Sequence, residues 1–433
     1  MKRILRALLL TTVVSTALTL TACGGDDGGS QELSDKPVTL RFTWWGSDAR
    51  HAATKKAIDA FHQAHPNITV KGEFKEWNGY WDSLATTVAA NDAPDIIQMD
   101  ELYLSSYAQR GALLDLGTAK KNLDVSAYDP KVLATGAVDG KQYGLPTGVT
   151  SYALFANTDL LDEYKVKLPD DNTWSWDDLK AVGAEVSKAS GGKVKGIQSW
   201  GFDTGAINIW ARQAGTSLYD AKGKVAIPPG VLTGFWSYLS DLATQGIAPS
   251  ASMTVESAGG PPEMGPLAVH TAAIGSGWSN QLTSNTALTG NAHLKLLKLP
   301  GESQAASPAV YLKPSMFWSV SSRSKHPAES ALFLNFLGSD PAAAKILGTD
   351  RGFPANSRYK AAIADQLTGT DAEVSKYLDT LKPGPPPVPT PNGASNIEAI
   401  LKRYTEQVLF GKLSPDKAAT QFIAELQSEI DAA

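Results

Sequence analysis

Apolar and polar residues alternate, or recur at helical spacing, along the first part of the chain in an order that predicts an α/β fold. Residues 38–44 alternate between the two classes and stop at Gly46, as a half-buried strand does. Apolar residues then recur at helical spacing until Pro66, which predicts a helix. A second strand over residues 68–74, a second amphipathic helix and a short apolar strand over residues 95–99 complete the series.

The order strand, helix, strand, helix, strand predicts a parallel sheet with right-handed crossovers. In such sheets, ligands bind beyond the carboxyl ends of the strands. Two segments occupy that place in this sequence, namely residues 44–50 after the first strand and residues 100–103 after the third. We therefore expect ligand contacts from these two segments.

The length of the chain indicates two domains. It has 433 residues, and about 400 would remain after removal of an N-terminal signal, which is more than one hydrophobic core usually supports. The turn-rich residues 140–146 predict a first crossing between two lobes, and residues 272–275 predict a return. We assign residues 37–146 with 268–312 to lobe 1, and residues 147–267 with 313–433 to lobe 2.

The N-terminal residues predict export and attachment to a lipid. Three cations in residues 1–6 precede an uncharged run, residues 7–20, whose helical length of about 21 Å is shorter than a bilayer core. We interpret residues 1–22 as a signal peptide, for which the lack of an Arg-Arg pair favours the Sec route over Tat. Cys23 ends a Leu-Thr-Ala-Cys sequence similar to the bacterial lipobox, which predicts acylation of its thiol. The alternative is a packed thiol that is lost with the signal.

Residues 23–36 predict a flexible tether, because residues 24–30 contain only glycine, aspartate and serine and have nothing apolar to bury. The folded part would then lie close to the extracytoplasmic face of the cell membrane, held there by the lipid on Cys23.

Charge and motif content argue against several classes of protein. The signal removes three of 39 basic residues and leaves 36 against 44 acidic ones, so we expect no nucleic-acid partner. Cys23 is the only cysteine, so no intrachain disulfide can form. The six histidines are scattered, and we expect neither a metal site nor a cofactor.

Enzymatic function is also disfavoured by the sequence. A Gly-x-Ser-x-Gly elbow, a Gly-rich phosphate loop and a His-Glu-x-x-His sequence do not occur. A glycosidase would need two carboxylates at a defined separation, which sequence spacing does not give. We therefore favour a binding protein over an enzyme.

Eleven tryptophans are many for this length, and they indicate a carbohydrate ligand. The C–H face of a pyranose stacks on an indole ring, while its hydroxyls need partners such as Asp, Asn, Gln or Arg. Five tryptophans are candidates for stacking: Trp45, Trp77, Trp81, Trp210 and Trp278. Trp44 shares a face with Leu40 and Phe42 and is expected in the core. For each candidate, packing in a core or between domains is the open alternative.

Polar candidates cluster after the first predicted strand. A carboxylate acceptor, a guanidinium donor and an imidazole lie close together here, in Asp48, Arg50 and His51. Such a group suits hydroxyls or a uronate carboxylate. The alternative is that Asp48 caps the next helix and the other two lie on its solvated first turn. Asp100, after the third strand, could likewise bind hydroxyls or begin a helix.

Several short sequences, taken in order, resemble the extracellular solute-binding proteins of family 1, the carbohydrate receptors of ABC importers. The likeness runs nearly end to end and is carried by Phe42-Thr43-Trp44-Trp45-Gly46, residues 61–70, residues 93–98, residues 139–146, Asn157, residues 173–177 and Arg351-Gly352-Phe353-Pro354. The resemblance implies a periplasmic-binding-protein-like fold, in which two α/β lobes joined by a hinge close on a ligand in the cleft between them. It also implies a receptor that captures a di- or oligosaccharide and delivers it to membrane permease subunits. We expect this receptor to be a monomer without enzymatic activity.

Carried over by position, the resemblance implies ligand contacts from the loops after the first and third strands, the start of the second helix, and later aromatic residues. The full set is Trp45, Asp48, Arg50, His51, Trp77, Trp81, Asp100, Trp210, Trp278, Arg351 and Phe353. Residues 44–51 look most like members that take plant-derived oligosaccharides, including uronate-containing ones. A neutral di- or oligosaccharide or a glycerol phosphodiester is equally open. An extracellular glycan-degrading enzyme and a cell-wall adhesion lipoprotein are the alternatives to a receptor.

Overall fold

The computed structural model of the protein describes residues 32–433. The predicted signal peptide, Cys23 and the first part of the tether lie outside the described residues. Within residues 32–433, no helix has both the length and the apolar character needed to cross a membrane.

Fourteen strands are described. They are β1 (Val38–Trp45), β2 (Ile68–Lys75), β3 (Ile96–Met99), β4 (Ala137–Val138), β5 (Lys141–Gln142), β6 (Leu145–Pro146), β7 (Gly148–Thr150), β8 (Tyr152–Asn157), β9 (Lys195–Ile197), β10 (Ala272–Trp278), β11 (Leu294–Leu297), β12 (Lys313–Pro314), β13 (Phe317–Val320) and β14 (Phe353–Pro354).

Sixteen α-helices are described with them. They are α1 (Asp48–Ala64), α2 (Trp77–Ala89), α3 (Glu101–Gln109), α4 (Pro130–Ala134), α5 (Thr158–Glu163), α6 (Trp176–Ala189), α7 (Thr204–Gln213), α8 (Pro229–Thr244), α9 (Ala251–Gly259), α10 (Leu282–Leu288), α11 (Pro327–Ser339), α12 (Pro341–Leu347), α13 (Ser357–Ala362), α14 (Gly369–Thr380), α15 (Ile397–Leu409) and α16 (Pro415–Asp431). The short 3₁₀ turns are Leu116–Ala119, Pro262–Met264, Ser279–Gln281 and Ala394–Asn396.

The first lobe is built on a five-stranded sheet in the order β2-β1-β3-β13-β6. β1 pairs in parallel with both β2 and β3, as the sequence predicts, whereas β13 joins antiparallel. The alternation along β1 sends Phe42 and Trp44 into a core with α1 and α11, while Trp45 enters a separate core with α2. The carboxyl end of β1 therefore carries an aromatic ring on each face of the sheet.

The second lobe is built on a four-stranded sheet in the order β11-β8-β10-β9. Successive side chains of β8 point into two different cores. Leu154 lies in the large core with α6, α8, α15 and α16, whereas Phe155 lies in a smaller core with α14. Trp236 of α8 is fully buried in the large core and donates its indole N–H to Thr405 Oγ1 at 2.8 Å. This lobe therefore has its own apolar interior, to which Leu102 of α3 in the first lobe also contributes.

Strand pairing corrects the predicted division into lobes. We assigned residues 268–312 to lobe 1, but β10 and β11 pair with β8 in the sheet of the second lobe. We assigned all of 313–433 to lobe 2, but β13 lies in the first sheet, and α11, α12 and α13 pack on that lobe. β10, β11 and β13 consist mostly of apolar or small residues, so their composition does not select a partner sheet.

Between the lobes, three short strands form a small sheet in the order β12-β7-β14, which we call the hinge sheet. β7 connects β6 of the first lobe to β8 of the second, and β12 leads back to β13. The backbones of β7 and the turn before β14 are very close, because a β-carbon at Gly148 would lie 2.6 Å from the carbonyl carbon of Gly352. Thr147 Oγ1 also donates to the Arg351 carbonyl at 2.7 Å. The segment before β7 is thereby hydrogen-bonded to the turn before β14.

We expect Gly148→Ala to lower the thermal unfolding midpoint and to disturb the hinge, because the added methyl must push two backbones apart at a cost of about 1–3 kcal/mol. Gly230→Ala is the matched control, since Gly230 lies exposed in the first turn of α8 with nothing within 4 Å of its β-carbon position. Differential scanning calorimetry of both variants checks this. Equal midpoints for the two would show that the strands at Gly148 separate without cost.

Candidate functional site

A cavity of about 570 Å³ lies between the two lobes. Its volume is within the range of about 300–1,000 Å³ that is usual for small-molecule sites. The first lobe contributes Trp77, Trp81 and Tyr103, from α2 and α3. The second lobe contributes Trp200 and Phe202, which follow β9. Aromatic side chains therefore stand on both walls of the cavity.

Helical spacing builds the aromatic wall of the first lobe. Trp77 and Trp81 are four residues apart at the start of α2 and so lie on the same face of this helix. The Trp81 ring stacks on Tyr103, with centroids 3.7 Å apart and planes 17° apart, and Trp45 packs edge-on against Trp77 at 5.1 Å. Trp81 is only 7% exposed, and its indole Nε1 has no hydrogen-bond partner within the described chain. The wall thus presents ring surface to the cavity, whereas the Trp81 N–H is enclosed within the wall.

A smaller cavity of about 280 Å³ adjoins the first and shares Trp77, Asp203 and Glu398 with it. Besides Trp77, its lining includes four residues of the predicted set, Trp45, Arg50, Asp100 and Trp278. Lys313 and Ser315, in and just after β12, also line this smaller cavity. The cleft therefore reaches from the aromatic walls to the hinge sheet.

Lys313 is buried where the two lobes meet. Its Nζ lies 2.9 Å from Glu101 Oε1 and 3.9 Å from Asp100 Oδ2, both at the start of α3 in the first lobe. The same Nζ lies 4.4 Å from the ring centroid of Trp278, in the second lobe. Burial alone would lower the pKa of Lys313, but Asp100 and Glu101 raise it above its ordinary value. This ammonium therefore stays charged and joins the two lobes.

Two more carboxyl groups, both from the second lobe, face the cleft. Asp203 caps α7 and accepts from the Gly205 N–H at 2.7 Å, and burial raises its pKa above the ordinary value. Glu398 lies in the first turn of α15, and the Trp77 side chain hydrogen-bonds to it across the cleft. Burial, followed by the charges of Asp203 and Asp100, raises the pKa of Glu398 to about 8. The cleft is therefore short of positive charge.

The segment after β1 only partly follows the prediction. Arg50 lines the smaller cavity, but its Nε already donates to Asp350 Oδ2 at 2.6 Å. Asp48 is the exposed first residue of α1, behind the capping Ser47, and it lines neither cavity. His51 also lies outside both linings, stacked 4.1 Å from the Phe74 ring. The chain turns into α1 immediately after Gly46, which directs these two side chains away from the cleft.

Three later residues of the predicted set also lie outside the linings of both cavities. Trp210 packs 5.1 Å from the Trp176 ring and donates its indole N–H to the Val231 carbonyl, inside the second lobe. Arg351 is buried in the first lobe. Phe353 is buried in the hinge sheet, with the Lys360 ammonium 4.8 Å from its ring. For these three, the structure replaces the predicted ligand contact with a packing role.

The role of Arg351 follows from its partners. Its Nε donates to Gln98 Oε1 and its Nη2 to Thr54 Oγ1, each at 2.8 Å. The guanidinium also lies over the Trp318 ring at 4.9 Å. Arg351 thereby ties the turn before β14 to β3, α1 and β13 of the first lobe.

Sequence reasoning missed several residues that line the cleft: Trp200, Asp203, Lys313 and Glu398. Tyr103 lies in the segment of residues 100–103 that was expected to contact a ligand. Trp200 and Asp203 follow the carboxyl end of β9, so the rule that selected Trp45 would have found them had that strand been recognised. Lys313 and Glu398 have no local signal, because only the folded chain brings them to the cleft. Within residues 32–433, no three His, Cys, Asp or Glu side chains are grouped so that they could hold a metal ion.

Comparisons with known proteins agree with this architecture. A family model described as a bacterial extracellular solute-binding protein matches residues 56–375, which is well over half of the chain. The diacetylchitobiose-binding protein of Streptomyces coelicolor is 25% identical over 178 residues, or 40% of this chain and 42% of that protein. The matched part thus spans less than half the length of this curated relative.

Solved structures extend the likeness to nearly the whole chain. A family 1 extracellular solute-binding protein from Alicyclobacillus acidocaldarius is 30% identical, covering 92% of this chain and 99% of that one, with a TM-score of 0.64. A periplasmic oligogalacturonide-binding protein from Yersinia enterocolitica, in complex with saturated digalacturonic acid, is 24% identical over 91% of this chain and 99% of its own, with a TM-score of 0.80. These matches confirm the predicted two-lobed α/β fold. Together with the family model, they show that the chain belongs to the bacterial extracellular solute-binding proteins.

Proposed function

We propose that this protein is the extracytoplasmic substrate-binding subunit of a carbohydrate ABC importer, and that it binds a di- or oligosaccharide without transforming it. The observation that carries the proposal is the cavity between the lobes, which has aromatic rings on both walls and carboxyl groups between them. Rings accept the C–H faces of pyranoses, and carboxylates accept hydrogen bonds from hydroxyls. The sugar ligands named for the relatives from Streptomyces coelicolor and Yersinia enterocolitica support the same class of ligand.

The proposed mechanism is closure of the two lobes about the hinge sheet. A sugar first stacks on the Trp77 and Trp81 wall of the first lobe, and the second lobe then covers it with Trp200 and Phe202. A ligand shifts the population towards the closed form only by its differential affinity for that form. Contacts with both walls supply that difference, because only the closed form offers them together.

The proposed attachment is the lipid on Cys23, followed by the tether of residues 24–36. This arrangement would hold the receptor at the outer face of the membrane, within reach of the permease subunits that take the sugar. Mass spectrometry of the N-terminal peptide from cell membranes, with and without Cys23→Ala, checks this attachment. An unacylated N-terminus would contradict it.

We expect Trp81→Ala to weaken sugar binding about tenfold or more, because it removes a stacking face from the cavity wall. Trp210→Ala is the control, since Trp210 packs inside the second lobe and should affect stability more than affinity. Isothermal titration calorimetry is done with whichever oligosaccharide gives the largest thermal shift in a panel of neutral, amino and acidic sugars. The mechanism is wrong if Trp210→Ala weakens binding more than Trp81→Ala does.

The fraction of ligand-free protein in the closed form is expected to fall as the pH rises from about 6 to about 9. Burial in the cleft raises the pKa of Glu398 from 4.5 to about 8, and separation of the lobes would expose this group to solvent. A raised pKa means that the closed form holds this proton more tightly, so its advantage is present at low pH and is lost as the pH passes through about 8. Asp203 and Asp100 act in the same direction, and Lys313 opposes them.

Small-angle scattering at both pH values measures this effect as an increase in the radius of gyration. The Glu398→Gln variant carries no titrating group at this position, so its radius should change less. Identical radii for the wild-type protein at the two pH values would contradict the expectation.

A further inference from the structure

The cleft contains more carboxyl groups than cationic side chains. Five carboxyl groups line the two adjoining cavities, those of Asp82, Asp100, Glu101, Asp203 and Glu398. The cations in the same linings are Lys313, Lys402 and Arg50. Arg50 is paired with Asp350 at 2.6 Å, and Lys313 with Glu101 at 2.9 Å. Lys313 also lies 3.9 Å from Asp100, so Lys402 is left against three carboxyl groups, those of Asp82, Asp203 and Glu398.

Two of these carboxyl groups are well placed to receive a cation from a ligand. Glu398 and Asp203 belong to both cavities, and within the described chain neither has a Lys, Arg or His partner within 4.0 Å. Both lie on the second lobe, opposite the aromatic wall of the first. Burying such groups without a counter-charge is costly, and burial indeed raises the pKa values of both. A positive charge in the cleft would offset this cost.

We expect an organic cation and not a metal ion. No group of three His, Cys, Asp or Glu side chains that could hold a metal occurs among residues 32–433. The cavity is instead large enough for an organic ligand, at about 570 Å³. A ligand cation must therefore be attached to a molecule that also fills the space between the aromatic walls.

The aromatic wall is also suited to a cationic sugar. A protonated amine over an aromatic face is attracted by the ring quadrupole, an arrangement that the cleft already uses for Lys313 over Trp278 at 4.4 Å. The Trp77 and Trp81 side chains line the same cavity, so the C–H face of a sugar ring can pack on this wall beside such an amine. These two features point to a ligand that combines an ammonium group with a sugar ring.

We propose that the ligand is an oligosaccharide bearing a protonated amino group, which Glu398 and Asp203 bind between the lobes. This inference rests on the proposed function and goes further by fixing the charge of the sugar. It departs from the uronates and glycerol phosphodiesters that the sequence left open, because an anionic ligand would add charge of the same sign to the cleft. Arg50 does not compensate, since Asp350 already holds its guanidinium.

Matched sets of oligosaccharides test the proposal on the purified protein. Each set has one sugar and one linkage in three forms, with a free amine, with an N-acetylated amine, and as the uronate. Titration calorimetry is done at a pH at which the amine is protonated. The free-amine form is expected to bind about tenfold or more tightly than its N-acetyl counterpart, because a charge-assisted hydrogen bond replaces a neutral one. The uronate form should bind most weakly.

A charge-neutral substitution then assigns the effect to the cleft. Glu398→Gln keeps the shape of the side chain and is expected to reduce the ratio of the free-amine affinity to the N-acetyl affinity about tenfold. Glu429→Gln removes the same charge from an exposed position on α16 and should leave the preference unchanged.

The possible results separate this inference from the proposed function. Equal or tighter binding of the N-acetyl or uronate form overturns the inference alone, and so does an equal loss of preference in both variants. If no member of any set binds to a protein that calorimetry shows to be folded, the inference and the proposed sugar-binding function both fail.

Discussion

The arrangement of the two lobes depends on one buried ammonium group, that of Lys313. This residue stands in the hinge sheet, pairs with Glu101 of the first lobe and lies against the Trp278 ring of the second. Removing one partner of a buried ion pair typically costs several kcal/mol, because the other charge is left without compensation. The ion pair that joins the lobes is formed by Lys313 and Glu101, which are 212 positions apart in the chain.

The sequence predicts those parts of the fold that are determined locally. The alternation at residues 38–44 and the break at Pro66 predict β1 and α1 closely, because the pleat of a strand and the turn of a helix each have a fixed period. Sheet membership was predicted wrongly for β10, β11 and β13, because pairing depends on contacts between distant segments. A short apolar strand such as Leu294–Leu297 is equally compatible with either lobe.

The candidate site shows the same limit at the level of side chains. Trp77 and Trp81 could be selected from the sequence, since they share a helix face directly after a strand of a parallel sheet. Trp210 has the same chemistry but packs inside the second lobe, and nothing local separates the two cases. Glu398 could not be selected at all, because its importance comes from the charges of Asp203 and Asp100 and the burial that they share.

The hinge sheet has a mechanical consequence. β7 and β12 run side by side and are hydrogen-bonded to each other, so two of the three connections between the lobes bend as a unit. The third connection is the segment between α13 of the first lobe and α14 of the second. Such a ribbon bends readily about one axis, whereas twisting or sliding would break its ladder. In the proposed mechanism, the lobes therefore move mainly about this axis, and the occupied and empty receptors differ chiefly by one angle. A membrane partner that measures this angle could tell a loaded receptor from an empty one without touching the sugar.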